Sequence, residues 1–227
     1  MRDAEKGDSF VPDGSPLRVS LFDDLDVSGI GLVFEEQAWC DGYKLVAGLD
    51  EVGRGCLAGP VVAAACILNP AKPFPDGLND SKKLTETTRD EIAAQLKVDC
   101  IAYSIGQVEA DEIDRINILE ATKQAMLNAI ALLTTAPDFL LIDALYLKRS
   151  PLPQKSIIKG DSISASIAAA SILAKTYRDD LMKAYDIEHP QYGFAGHKGY
   201  GAATHFEALR KHGPCPLHRR TFHGVIQ

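Results

Sequence analysis

Ala47-Gly48-Leu49-Asp50-Glu51-Val52-Gly53-Arg54-Gly55-Cys56-Leu57-Ala58-Gly59-Pro60-Val61-Val62-Ala63 sets two adjacent carboxylates where an apolar run meets a glycine turn. Residues 45–49 read as a short buried strand and residues 61–68 as another, so Asp50 and Glu51 fall within or beside a sheet. Unpaired carboxylates in such a place raise each other's pKa and are costly to desolvate unless a cation compensates. A divalent metal ion is the obvious candidate. The turn Gly53-Arg54-Gly55 adds a second chemistry, because glycines let the backbone approach a ligand and offer main-chain groups to a sugar hydroxyl or phosphate. The same glycines also suit a plain tight turn between two strands.

Outward from this run, the strands and helices alternate. A short helix opens near residues 34–39, a loop covers residues 69–77, and a helix is expected over 84–96 before a strand over 99–108. Apolar spacing makes residues 110–133 an amphipathic helical region, and residues 138–143 form the next buried strand. Residues 162–178 are rich in alanine and serine and predict a helix lying tight against a sheet; a further helix is expected over 203–211. This alternation implies a layered α/β domain.

The chain has 227 residues, 46% of them apolar, which suits one sizeable domain with a normal core. Residues 1–33, rich in Gly, Pro, Ser and Asp around an apolar island at 17–25, read as a flexible acidic arm, and residues 34–227 as the folded domain. No run of about 18 uncharged apolar residues occurs, and the first residues lack an apolar signal core, so a soluble cytoplasmic protein with no membrane contact is expected. The five scattered cysteines read as reduced thiols rather than a zinc site or disulfide framework.

The net charge of -7 is unevenly spread. Residues 1–44 hold 4 basic and 10 acidic side chains, residues 45–144 hold 8 and 15, and residues 145–227 hold 12 and 6. All six histidines also lie in the last segment. That segment is a candidate phosphate-facing surface, although a solvated helical face accounts for the same balance.

Asp50, Glu51, Asp143 and Asp161 each sit at a strand end or helix start, positions that converge at one edge of an α/β sheet. Their hard oxygen donors, without a His/Cys cluster, point to Mg²⁺ or Mn²⁺. Other roles stay open: Asp161 also suits a helix cap and Asp143 a turn, whereas Asp50 and Glu51 have no evident local partner.

The opening run, together with Asn79-Asp80-Ser81-Lys82-Lys83-Leu84, Leu141-Ile142-Asp143, Lys159-Gly160-Asp161-Ser162, Ala168-Ala169-Ala170-Ser171-Ile172-Leu173-Ala174-Lys175, His197-Lys198-Gly199-Tyr200-Gly201 and His218-Arg219-Arg220-Thr221-Phe222, resembles the ribonuclease HII family in its bacterial form. The motifs stand in the family's order and cover the chain from about residue 35. This resemblance implies a ribonuclease H-like fold, a mixed sheet flanked by helices with a helical C-terminal portion. It also implies two-metal hydrolysis of RNA in RNA–DNA hybrids and on the 5′ side of single ribonucleotides in duplex DNA, leaving 3′-hydroxyl and 5′-phosphate ends. The roles implied are ribonucleotide removal from DNA and RNA primer clearance.

In that scheme Asp50, Glu51, Asp143 and Asp161 are catalytic metal ligands, with Asp50 bridging the two ions. Gly53, Arg54 and Gly55 contact the ribose 2′-OH, and Tyr200 stacks on the following deoxyribose. Lys82, Lys83, Ser171, Lys175 and Arg178 are candidate phosphate contacts that fix the duplex in register. A monomer is implied, and no motif for an obligate protein partner stands out. Type 3 ribonuclease H specificity and a non-catalytic hybrid-binding protein are the rival readings. Asp161 in place of that type's glutamate, and the presence of all four carboxylates, speak against them in turn. A nucleotide-binding loop fits worse, because residues 53–59 lack the lysine and hydroxyl ending of a P-loop.

Overall fold

The computed structural model describes residues 29–73, 75, 77, 78, 81 and 84–226. Within them the acidic run forms β1 (Val46–Val52), and the apolar run after the glycine turn forms β2 (Val61–Ile67). Three further strands follow: β3 (Ala102–Val108), β4 (Phe139–Asp143) and β5 (Gln154–Ile157). They make one mixed sheet of order β3-β2-β1-β4-β5, in which β3, β2 and β1 are antiparallel neighbours and β4 and β5 run parallel to β1. The acidic strand is therefore central, where a charge has no sheet edge to reach water from.

Alternation along β2 separates two layers. Val61, Ala63, Ala65 and Ile67 pack with α3 (Ala110–Ile116) and α4 (Ile118–Leu132) through Ile113, Ala121, Ala125, Met126 and Ala129. Val62, Ala64 and Cys66 face α2 (Glu86–Asp99) and α5 (Ala165–Glu188). A strand buried on both faces needs an unbroken apolar run, which β2 has. The alanines of α5 let it lie close to the sheet, and Gly48 sets how close: a Cβ there would sit 2.1 Å from the Ser166 carbonyl carbon. Overpacking such a contact costs about 1–3 kcal/mol or more.

Four departures from the sequence reading have local causes. The helical region over 110–133 is broken at Asn117, which takes φ 69° and caps α4 by accepting the Leu119 and Glu120 amides. Asn tolerates positive φ better than most residues, and its side chain competes for backbone donors. Helix α5 begins at Ala165 and runs to Glu188, well past the expected end, because Arg178, Asp179 and Met182 continue its buried face. The short strand β5 escaped notice because Pro151 and Pro153 precede a polar run. A single-turn helix, α6 (Phe194–His197), stands among residues that read only as turns, ahead of α7 (Ala203–His212).

Most of the expected arm, residues 1–28, lies outside the described residues. Residues 29–33 lie on the folded body and lead into α1 (Val33–Cys40): the Gly31 amide donates to the Ile163 carbonyl and the Ala165 amide to the Gly31 carbonyl. Among the described residues all five cysteines are free thiols, and no helix is long and apolar enough to cross a membrane.

Candidate active site

Strand register brings two of the four carboxylate positions side by side. Leu49 pairs with Ile142 in the parallel β1–β4 ladder, so Asp50 and Asp143 are the next residues of each strand, at their carboxyl ends. Ligand sites of open α/β sheets form at that end. Asp143 Oδ1 accepts the Gly160 amide at 2.7 Å, which ties the 3₁₀ turn Gly160–Ser162, and Asp161 with it, to the end of β4. The turn fits because residue 160 is glycine: a Cβ would lie 2.5 Å from Ile167 Cδ1. The capping role open to Asp161 falls to Ser164 instead, whose hydroxyl accepts the Ile167 amide at the start of α5.

Electrostatics at this sheet end are only partly relieved. Burial pushes the Asp50 carboxyl well above the usual carboxylate range, and the charges of Glu51 and Asp143 push the same way. A hydrogen bond from Ser171 and one from the Glu51 amide, at 2.7 Å, oppose the shift. Glu51 is likewise raised, first by burial and then by Asp143, while Arg54 opposes with an ion pair of 3.1 Å. The second Glu51 oxygen, Oε2, is buried with no hydrogen-bond partner among the described residues.

An orphaned carboxylate oxygen beside like charges is a fitting environment for a hard divalent cation, and the donors are all oxygen. Among the described residues no three acidic, His or Cys side chains are already gathered closely enough to hold a metal ion. The fold brings Asp50, Glu51, Asp143 and Asp161 to one end of the sheet without a finished coordination sphere.

The glycine turn leaves β1 beside these carboxylates. Gly53 has φ +89°, a conformation L side chains rarely adopt, and a Cβ there would lie 2.3 Å from Arg178 Nε. Arg54 and Gly55 are exposed. Tyr200 is 44% exposed, with its phenol against the Cys56 thiol of the same loop. The tyrosine thus adjoins the loop that leaves β1, and the Leu57 amide, bonded to the Gly199 carbonyl at 2.8 Å, ties the two together.

The expected phosphate contacts divide. Arg178 is a correction: it is 0% exposed, and its guanidinium donates to the carbonyls of Pro60, Lys198 and Ala58 at 3.1, 2.9 and 3.1 Å, so it braces the loop from within instead of meeting a phosphate. Ser171 is buried, bonded to Asp50 and, at 2.9 Å, to Ser81, which makes it a support of the acidic site. Lys175 is held by Asp179 at 2.6 Å. Lys82 and Lys83 lie outside the described residues.

Sequence reading gave no individual role to Arg219 or to the histidines. Arg219 is 0% exposed and bonds the carbonyls of Gly59 and Arg54. His205 Nδ1 lies 2.8 Å from the Tyr200 carbonyl, and the Cys215 amide donates to His218 Nδ1 at 3.0 Å. These contacts put the His205 proton on Nδ1 and the His218 proton on Nε2, which donates to His205 Nε2 at 3.0 Å. Burial, with His205 next, lowers His218 to about 4, as a neutral relay requires. Part of the basic and histidine excess of the C-terminal third is therefore internal scaffolding. The only sequence signal for it was the run His218-Arg219-Arg220-Thr221-Phe222.

With this geometry, comparison with known proteins is specific. The family description Ribonuclease HII matches residues 47–225. A ribonuclease HII of Desulfitobacterium hafniense is 58% identical over 193 residues, spanning 85% of this chain and 74% of that protein. Among solved structures, ribonuclease H2 from Pyrococcus horikoshii OT3 superposes with a TM-score of 0.69 at 25% identity, covering 80% of this chain and 95% of that one. Bst-RNase HIII, solved in complex with Mn²⁺, shares the fold with a TM-score of 0.62 at 20% identity, over 80% and 68% of the two chains.

Proposed function

Because the chain belongs to the ribonuclease HII family and is thus a nuclease hydrolase with ribonuclease H activity, we propose that Asp50, Glu51, Asp143 and Asp161 hold two Mg²⁺ or Mn²⁺ ions for cleavage beside a ribonucleotide. The observation that carries this reading is the buried Glu51 Oε2, without a hydrogen-bond partner among the described residues, next to an Asp50 carboxyl crowded by like charge. The Mn²⁺ complex of the structurally similar Bst-RNase HIII supports the choice of ion. A bound pair of such ions supplies an activated water and neutralises charge on the scissile phosphodiester.

The chain's own residues do the rest. Asp50 feels the charges of both Glu51 and Asp143, its position is held by Ser171 and the Glu51 amide, and it would be the ligand the two ions share. Asp143 keeps one oxygen on the Gly160 amide, which holds the Asp161 turn at the site. Gly53, Arg54 and Gly55 contact the 2′-OH, the group that separates RNA from DNA, and Tyr200 stacks on the next sugar. Water adds to phosphorus, the bond to the upstream O3′ breaks, and that oxygen takes up a proton. The products carry 3′-hydroxyl and 5′-phosphate ends.

The substrates are RNA–DNA hybrids and duplex DNA containing single ribonucleotides, placing the enzyme at the start of ribonucleotide removal and in primer clearance. The test is cleavage of a labelled duplex bearing one ribonucleotide, with Mg²⁺, Mn²⁺ or EDTA, beside an all-DNA control. A metal-dependent cut 5′ of the ribonucleotide is expected. Cleavage of a long hybrid alone would point to type 3-like specificity, and cleavage that survives EDTA would overturn the metal assignment.

A further inference from the structure

The proposed ribose-contacting loop is clamped from the C-terminal tail. Ala58 bridges His218 in antiparallel fashion, the Gly59 amide donates to the Leu217 carbonyl at 2.8 Å, and the Arg219 amide donates to Leu57 at 2.8 Å. From this bridge the Arg219 side chain turns inward, with Nε and Nη2 on the Gly59 carbonyl at 3.1 and 2.9 Å and Nη1 on the Arg54 carbonyl at 2.9 Å. Its guanidinium also lies 5.1 Å from the centre of the Phe222 ring. The tail is pinned in turn by Asp114 of α3, which accepts the Arg220 amide at 2.7 Å and the Thr221 amide and hydroxyl at 3.0 and 2.5 Å.

The bond to Arg54 has a directional consequence. No peptide of the described chain is cis, and in a trans peptide the carbonyl and the next N–H point opposite ways. With the Arg54 carbonyl drawn inward, the Gly55 N–H points outward, on an exposed residue, and forms no hydrogen bond among the described residues. We propose that Arg219 is a positioning residue for ribose recognition, its Nη1 bond to the Arg54 carbonyl fixing the Gly55 N–H as a preformed donor toward the substrate sugar. This rests on the reading of the loop as the 2′-OH contact. Arg219 is fully buried and touches no substrate itself. A lysine keeps the charge but lacks the planar fork that holds Gly59 and Arg54 together.

Fluorescence anisotropy in EDTA separates positioning from mere support, using a labelled duplex with one ribonucleotide and the same duplex in all-DNA form. Arg219→Lys is expected to lower the preference for the ribonucleotide duplex by about tenfold, the weight of one oriented charged hydrogen bond, with all-DNA affinity nearly unchanged even though the loss of buried bonds lowers the thermal midpoint. Asp114→Asn, remote from the loop, is expected to lower the same preference by a smaller factor, about threefold. Wild-type preference retained by both variants overturns the proposal, as does a parallel loss of affinity for both duplexes. Absence of any preference in the wild-type protein refutes the ribose-contact reading on which the proposal stands.

Discussion

At the carboxyl ends of β1 and β4, buried like charges crowd one another and a carboxylate oxygen has no hydrogen-bond partner among the described residues, whereas from Arg178 of α5 onward the buried cations and imidazoles are met by main-chain groups. Both regions bury polar side chains in a small volume. Around Arg178, Arg219, His205 and His218, each hydrogen bond stabilises a loop or turn in one conformation. Around Asp50 and Glu51 the imbalance instead favours whatever positive charge arrives. In the proposed scheme the crowded carboxylates are where the chemistry would be done, and the satisfied network is what would hold the reader of the substrate in shape.

The largest expected effect comes from reversing the imbalance. Asp50→Asn should reduce cleavage of the ribonucleotide duplex by about three orders of magnitude or more, since several kcal/mol of transition-state stabilisation depend on the ion site. In EDTA the same variant should melt at a higher temperature than wild type, because a buried charge repelled by Glu51 and Asp143 is gone. A lower midpoint in EDTA would break the comparison. Next in size is Gly53→Ala, where φ +89° and the approach to Arg178 Nε both oppose a methyl group. A loss of about 2–3 kcal/mol in denaturant stability is expected, with impaired cleavage.

The relay gives a pH signature of opposite origin. His218 is depressed from 6.5 to about 4, so the unfolded chain binds more protons between those values. The contribution is complete above pH 6.5 and is lost as pH falls toward 4, by about 3 kcal/mol in all. Thermal midpoints from pH 7.5 to 4 should decline more steeply for wild type than for His218→Gln; equal slopes would show that the relay is not the titrating element. The smallest effect expected is that of Arg54→Ala. Its side chain is 44% exposed and ion-paired to Glu51, while the proposed ribose contact is made by the backbone, so single-ribonucleotide cleavage should change by no more than about threefold.

Some of this was legible in the chain. Asp50 and Glu51 announce themselves because two charges in an apolar strand contradict local pattern, and contradiction of that kind survives without any tertiary knowledge. The central strands are equally plain, since residues buried on both faces must be apolar without interruption. Arg178 shows the opposite case. A cationic residue on a helix reads as a surface contact for phosphate, yet its guanidinium ends among the carbonyls of Ala58, Pro60 and Lys198. Long side chains carry their charge far from the backbone that periodicity describes, so burial of the tip is not written in spacing.

The sequence by itself determined the α/β class, the acidic centre and, through several short motifs in order, the family. Those features depend on local pattern or on residue identity alone. Tertiary structure decided that Asp50 and Asp143 adjoin across the β1–β4 ladder, that Gly48 sets the approach of α5, and that the C-terminal tail turns the Arg54 peptide from behind. Each of these joins residues tens to more than a hundred positions apart, and only packing of the folded chain makes them neighbours.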